Sequence, residues 1–221
     1  VQHASIISGY DDKEKTIFHY VPEQKPSEEG IQVGVIPEKR FEKLWSEDGC
    51  LMVLLGPTDI ISALKSDQNK TKSNRLCFES EKLSLQKQTK ETTDSLEKAI
   101  EINPDNSTAL CLLGGVLNEQ NNPECVSYYE KSLEKNENCY LAYRGLGNFY
   151  LKNQQFDKSE ENYTNAIKIN DNRFGPIYKN RGYVRQQQNK IEQAKEDYQN
   201  YIKFTPNAKD RGMIERALNE M

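Results

Sequence analysis

Two His and five Cys are the side chains of this 221-residue chain best suited to hold a metal or act as a nucleophile. They are His3, His19, Cys50, Cys77, Cys111, Cys125 and Cys139. A zinc site gathers four such ligands, usually with two of them a few residues apart. Here Cys111 and Cys125, 14 residues apart, are as close as any two cysteines come, so no metal and no cofactor is expected. An odd Cys count without close pairs does not make a disulfide framework. Thiol catalysis needs a base beside the sulfur, and the sequence alone brings no Cys next to a His. Each Cys reads as a small core residue or an incidental one. Lys+Arg number 30 and Asp+Glu 34, a net charge of −4, which gives no basic footprint for nucleic acid. The apolar run Cys50–Leu55 is far shorter than the roughly 20 residues of a membrane span.

The elements that would position these side chains divide into two kinds. Only 35% of residues are hydrophobic, below the usual share for a globular domain, which favours an extended, thin-cored structure. From about residue 73 the chain repeats itself. "LEKAIEINPDN" (96–106), "TNAIKINDNR" (164–173) and "QNYIKFTPNA" (199–208) end alike, and "EKSLEKNENC" (130–139) is a weaker copy. Each of the first, second and fourth is followed by a helix-like stretch with a central glycine. Gly114, Gly147 and Gly182 are spaced by 33 and 35 residues. Pro104 and Pro206 are placed to stop helices. Residues 209–221, with Met213, Ile214, Ala217 and Leu218, read as a capping helix.

This pattern resembles the tetratricopeptide repeat, a pair of antiparallel helices. Tyr143, Leu146, Gly147, Tyr150, Ser159, Tyr163 and Ala166 match its consensus in residues 140–173. Tyr178, Gly182, Ala194, Tyr198 and Pro206 match in 175–208, which departs at Arg181, where Leu is usual. Residues 107–139 keep Leu110, Leu113, Gly114 and Leu117 but lack one residue in the inter-helix turn. A degenerate first unit (73–106) keeps Leu76, Ser80, Leu83, Leu96 and Ala99. The resemblance implies a mostly α solenoid over 73–208, stabilised by stacking of units that cannot bury an apolar face alone. It also implies a concave groove holding a peptide or protein partner. Arg144, Asn148, Lys152, Lys179, Asn180, Tyr183 and Gln187 fall at groove-facing positions. Arg144, Asn148 and Asn180 resemble part of a carboxylate clamp, but Asn is common at such positions, and a general peptide groove is the preferred reading.

Residues 1–57 have a period of two. Residues 3–20 read as two strands around a polar turn, 28–36 as a loop or short strand, 37–45 as a helix and 50–57 as a buried strand. The string His3, Ala4–Ser8, Gly9, Tyr10, Asp11, with Phe41, Trp45 and Leu51–Leu55 downstream, resembles the C-terminal half of bacteriocin-processing cysteine peptidases of the papain fold. That resemblance implies a small α+β lobe with His3 as general base. It also implies an exported, bacterial-type protein, whereas unpaired-looking Cys fit a reducing compartment. In such peptidases the Cys precedes the His, and only Val1 and Gln2 precede His3 here. The chain is therefore expected to be a fragment, with any catalytic Cys upstream, or a degenerate lobe attached to a scaffold. Residues 58–72 read as a polar linker. Asn-x-Ser/Thr strings begin at Asn69, Asn106 and Asn162.

Overall fold

The computed structural model describes residues 6–11, 13–21, 32–37, 67–169 and 175–221. The chain divides into two compact units, Val1–Cys50 and Leu51–Met221.

In the first unit, β1 (Ile6–Asp11), β2 (Thr16–Val21) and β3 (Gln32–Pro37) form an antiparallel sheet in the order β1-β2-β3. Alternating apolar residues on both sides of a polar turn produce the expected hairpin. Ile7 pairs with His19 and Gly9 with Phe18, so Ser8 is an extra residue between them. Pro37 departs from the helical expectation for 37–45: it ends β3 opposite Thr16. A proline suits a strand end, where no amide N–H is required. His3, Phe41, Trp45 and the 50–57 strand lie outside the described residues.

In the second unit, nine described α-helices follow one another. They are α1 (Gln68–Leu85), α2 (Thr89–Ile102), α3 (Ser107–Glu119), α4 (Cys125–Lys135), α5 (Tyr140–Lys152), α6 (Phe156–Ile169), α7 (Gly175–Gln187), α8 (Ile191–Phe204) and α9 (Arg211–Glu220). Helix α1 begins inside the polar 58–72 stretch. The Asp67 carboxylate caps it by accepting from the Asn69 and Lys70 amides at 2.9 and 3.1 Å. Composition hid this start because the first turn is polar and exposed. Within the cap, Ile214 is buried but Met213 is 59% exposed, so the apolar face of α9 is narrower than expected.

Helices pair as α1–α2, α3–α4, α5–α6 and α7–α8. Each pair turns through one residue in the left-handed region: Lys87, Asn121, Gln154 and Asn189, with φ of 59°, 57°, 57° and 61°. The amide after each donates back across the turn. Gln88 N reaches Leu83 O at 3.1 Å, Asn122 N reaches Leu117 O at 2.9 Å, Gln155 N reaches Tyr150 O at 2.9 Å and Lys190 N reaches Arg185 O at 2.8 Å. These bonds satisfy carbonyls that a helix end leaves open. The residue missing from 107–139 is absorbed here: the turn keeps its geometry and α4 simply starts later, after Pro123.

The core is a series of matched pairs. Tyr129, Tyr163 and Tyr198 are buried and lie against Gly114, Gly147 and Gly182. A Cβ on Gly147 would stand 2.6 Å from the Tyr163 ring. The first pair uses Ser80 and Leu96 at the equivalent places, both buried. Small residues at the next contact are also buried: Thr92, Cys125, Ser159 and Ala194. The Arg181 departure is resolved by partners. Its Nε and Nη2 donate to Asp197 at 2.9 and 2.7 Å, and its Nη1 donates to Thr164 at 3.1 Å. Arg185 donates to Asp197 at 3.0 Å and to Glu160 at 2.9 Å, and Lys190 donates to Glu160 at 2.6 Å. A charged network thus ties α6, α7 and α8 where leucine would otherwise pack.

Candidate partner-binding groove

First helices of successive pairs touch one another: α1 meets α3, α3 meets α5, and α5 meets α7. The second helices instead meet the first helix of the next pair. First helices therefore line the inner side of the stack. Arg144, Asn148 and Lys152 recur at i, i+4 and i+8 along α5. Lys179, Asn180, Tyr183 and Gln187 share a face of α7.

The structure brings some of these together. Asn148 Oδ1 accepts from the Tyr163 hydroxyl at 2.7 Å and from Asn180 Nδ2 at 3.3 Å. Burial pushes the Tyr163 phenol up to about 12, so near neutral pH it is a proton donor. With its oxygen engaged, the Asn148 amide NH2 is the group it can offer to a ligand. Arg144, half-buried beside it, places a cation close enough to act on both Tyr163 and Cys111. Lys152 is engaged within the stack: its Nζ donates to the Asn118 carbonyl at 3.0 Å, joining pairs two and three. Lys179 serves the cap, bonding Asp210 at 2.7 Å and lying 5.3 Å from the Tyr201 ring centre. Tyr201 also donates to Asp210 and occupies a place where the three preceding pairs carry Ala99, Ser132 and Ala166. Tyr183 is 46% exposed and Gln187 is exposed.

Three features were missed from the sequence. Asn118 contributes to the inner side by receiving Lys152 and donating to the Gly145 carbonyl at 3.2 Å. Tyr163, fully buried on a second helix, supports the groove residue Asn148 through its hydroxyl. Phe78 (50% exposed) and Leu85 (87%) lie seven residues apart on α1, at the places of Asn180 and Gln187. Their seven-residue spacing was the available signal. The inner side thus carries two exposed apolar side chains at its α1 end, with Glu81 between them, and mostly polar ones at α5 and α7. Two of the Asn-x-Ser/Thr strings are explained by local structure. Asn106 is buried: its oxygen caps α3, and its Nδ2 donates to Ser73 at 2.7 Å. Asn162 is mid-helix, bonded to the Lys158 carbonyl at 2.8 Å. Among the described residues no helix is long and apolar enough to cross a membrane, and no group of three acidic, His or Cys side chains could hold a metal ion.

No curated protein matches the chain. Solved structures do. The chain is similar to pilF of Pseudomonas aeruginosa, at 18% identity over 70% of each chain with a TM-score of 0.64. It is similar to YrrB, described as a tetratricopeptide-repeat protein with an unusual peptide-binding site. That match has 20% identity over 64% of this chain and 71% of the other, with a TM-score of 0.52. It is also similar to MamA from Desulfovibrio magneticus RS-1, at 15% identity over 64% and 79% with a TM-score of 0.54. At such identities these likenesses concern the fold. The tetratricopeptide repeat family model matches residues 142–173, and these neighbours share the fold of the helical unit.

Proposed function

We propose that this protein is an interaction scaffold that binds a peptide or protein segment along the inner face of its helical unit. The domain division behind this reading is a repeat array over 73–208 closed by a cap over 209–221. The observation that carries it is the hydrogen-bonded group Tyr163–Asn148–Asn180 beside Arg144, which holds the Asn148 side chain by its oxygen and leaves its amide NH2 to offer to a ligand. Side-chain amides and a guanidinium recognise peptide carbonyls or carboxylates. Tyr183 supplies an aromatic surface of the kind enriched in binding hot spots. YrrB, which shares this fold, carries a peptide-binding site.

The test compares recovery of a cross-linked partner by the intact chain and by variants with unchanged circular dichroism. Arg144→Ala with Tyr183→Ala is expected to weaken binding at least tenfold, about 1.4 kcal/mol. Lys195→Ala, on the second helix of its pair, is expected to have no effect. If the inner-face variant binds normally, the groove reading fails.

A second reading makes the N-terminal unit peptidase-derived. Its support is the β1–β2 hairpin, with Gly9, Tyr10 and Asp11 closing the first strand as the resemblance requires. In that reading His3 is the general base for a Cys upstream of Val1. With the upstream sequence present, His3→Ala should abolish peptide hydrolysis, and undiminished hydrolysis would refute the assignment.

A further inference from the structure

The four cysteines of the described residues are all free and buried, yet they differ chemically. Cys77 is enclosed by Ala99 and Ala109, and Asn106 Nδ2 lies 3.7 Å from its sulfur. Burial pushes its thiol up to about 12, which keeps it unreactive. Cys125, inside α4, is likewise raised by burial.

Cys111 and Cys139 are arranged differently. Cys111 lies in α3 and Cys139 immediately precedes α5, at its N-cap, and these two helices touch. Both belong to one packed cluster with Tyr129, Ala142 and Leu146, and their side chains interact directly. The Cys139 sulfur lies near the Cys111 thiol at the start of α5, where it makes no capping bond to the helix amides. The Ser132 hydroxyl of the preceding helix donates to the Ser107 carbonyl at 2.8 Å. The start of a 13-residue helix adds its own positive end. Arg144 places a cation near Cys111.

We propose that Cys111 and Cys139 form an oxidisable thiol pair, converted by a hydroperoxide into an intramolecular disulfide that joins pairs two and three. The neighbouring Cys111 thiol, opposed by burial, holds the Cys139 thiol below its ordinary range, while Cys111 is held well above its own by Cys139 and by burial. Cys139 is accordingly the attacking sulfur and Cys111 the resolving one. The Cys139 thiolate attacks the terminal peroxide oxygen. An S–O bond forms, the O–O bond breaks, and the alkoxide leaves with a proton as an alcohol. Cys111 sulfur then attacks Cys139 sulfur. The S–S bond forms, the S–O bond breaks, and hydroxide leaves with the Cys111 proton as water. The two thiols lose two electrons and the hydroperoxide gains them. Closing the bond brings the sulfurs to about 2 Å. It places a covalent staple between two first helices, next to Arg144 on the inner face.

The full chain, reduced and then exposed to hydrogen peroxide, is alkylated and digested without reduction. Combined cleavage after Lys, Arg and Glu separates Cys111 from Cys125, because Glu119 and Glu124 lie between them. The expected product joins the Cys111 and Cys139 peptides, two hydrogens lighter than their sum and released by reductant. In Cys111→Ala, a folded variant should leave Cys139 as a sulfenic acid that dimedone captures. Recovery of both cysteines as alkylated thiols in the unsubstituted chain would overturn the proposal. So would their pairing with any other cysteine, within or between chains. The unsubstituted chain decides the matter even if the variant fails to fold.

Discussion

Asp197→Asn is expected to lower the stability of the helical unit by about 3–5 kcal/mol, measured by urea unfolding followed by far-ultraviolet circular dichroism. Asp197 is fully buried, and its two oxygens accept three bonds from Arg181 and Arg185. Asparagine keeps the volume but removes the charge, leaving two guanidinium groups facing a neutral amide. Removing one partner of a buried ion pair costs more than the pair itself is worth, because the other charge stays desolvated. Arg181→Leu combined with Asp197→Leu is therefore expected to recover most of the loss, since leucine is the usual residue at the Arg181 position. A loss below 0.5 kcal/mol (about the noise of surface substitutions) for Asp197→Asn would remove the network from any structural role. The same network carries a pH signature. Burial raises the Glu160 carboxyl, but its bonds to Lys190 and Arg185 outweigh this and hold it below the ordinary range. A carboxyl lowered on folding stabilises the fold above its unfolded value, and that stabilisation fades as pH falls through the folded value. Asp210, lowered by Lys179 and Tyr201, behaves alike. Acidification into and below the ordinary carboxylate range should expose α7, α8 and the cap to hydrogen exchange before α3 and α4.

Gly147→Ala is expected to cost about 2–3 kcal/mol, although alanine is the better helix former by about 1 kcal/mol. The added methyl would meet Tyr163 Cδ1 and Cε1 at 2.6 Å, and that ring is fully enclosed. The sign should change in a Tyr163→Leu background. There the pair would imitate Ser80 with Leu96, and Gly147→Ala should become neutral or stabilising. The double-mutant cycle reads this coupling directly. Equal costs in both backgrounds would show that Tyr163 is not what the glycine accommodates.

Much of the helical unit was legible because its rules are local. Glycine at 33- and 35-residue spacing, tyrosine sixteen residues beyond Gly147 and Gly182, and proline after the second helix each report a contact within one pair. Four positions became clear only in three dimensions. Arg181 looked like a defect until Asp197, Thr164 and the α6–α7–α8 junction surrounded it. Lys87 and Gln154 occupy left-handed positions that favour glycine, so nothing in their chemistry marks those turns. Asp67 caps a polar first turn that reads as linker. The groove positions read from periodicity are not all free groups. Lys152 and Lys179 are spent on Asn118 and Asp210, contacts formed with residues 34 and 31 positions away. Periodicity places a side chain on a face and says nothing of which neighbour claims it.

The glycine–tyrosine pairs also bear on how such an array can be rearranged. Gly114 with Tyr129, Gly147 with Tyr163 and Gly182 with Tyr198 all match within one pair, so a crossover in an inter-helix turn would unite a glycine with a foreign partner. A crossover between pairs keeps each match whole. Two seams are exceptions. A Cβ on Gly145 would stand 2.2 Å from Tyr129, which belongs to the preceding pair. Pairs two and three are thus matched across their seam, and pairs three and four are matched by the bonds of Arg181 to Thr164 and of Arg185 and Lys190 to Glu160, so a unit moved from either place would leave its partner residues behind.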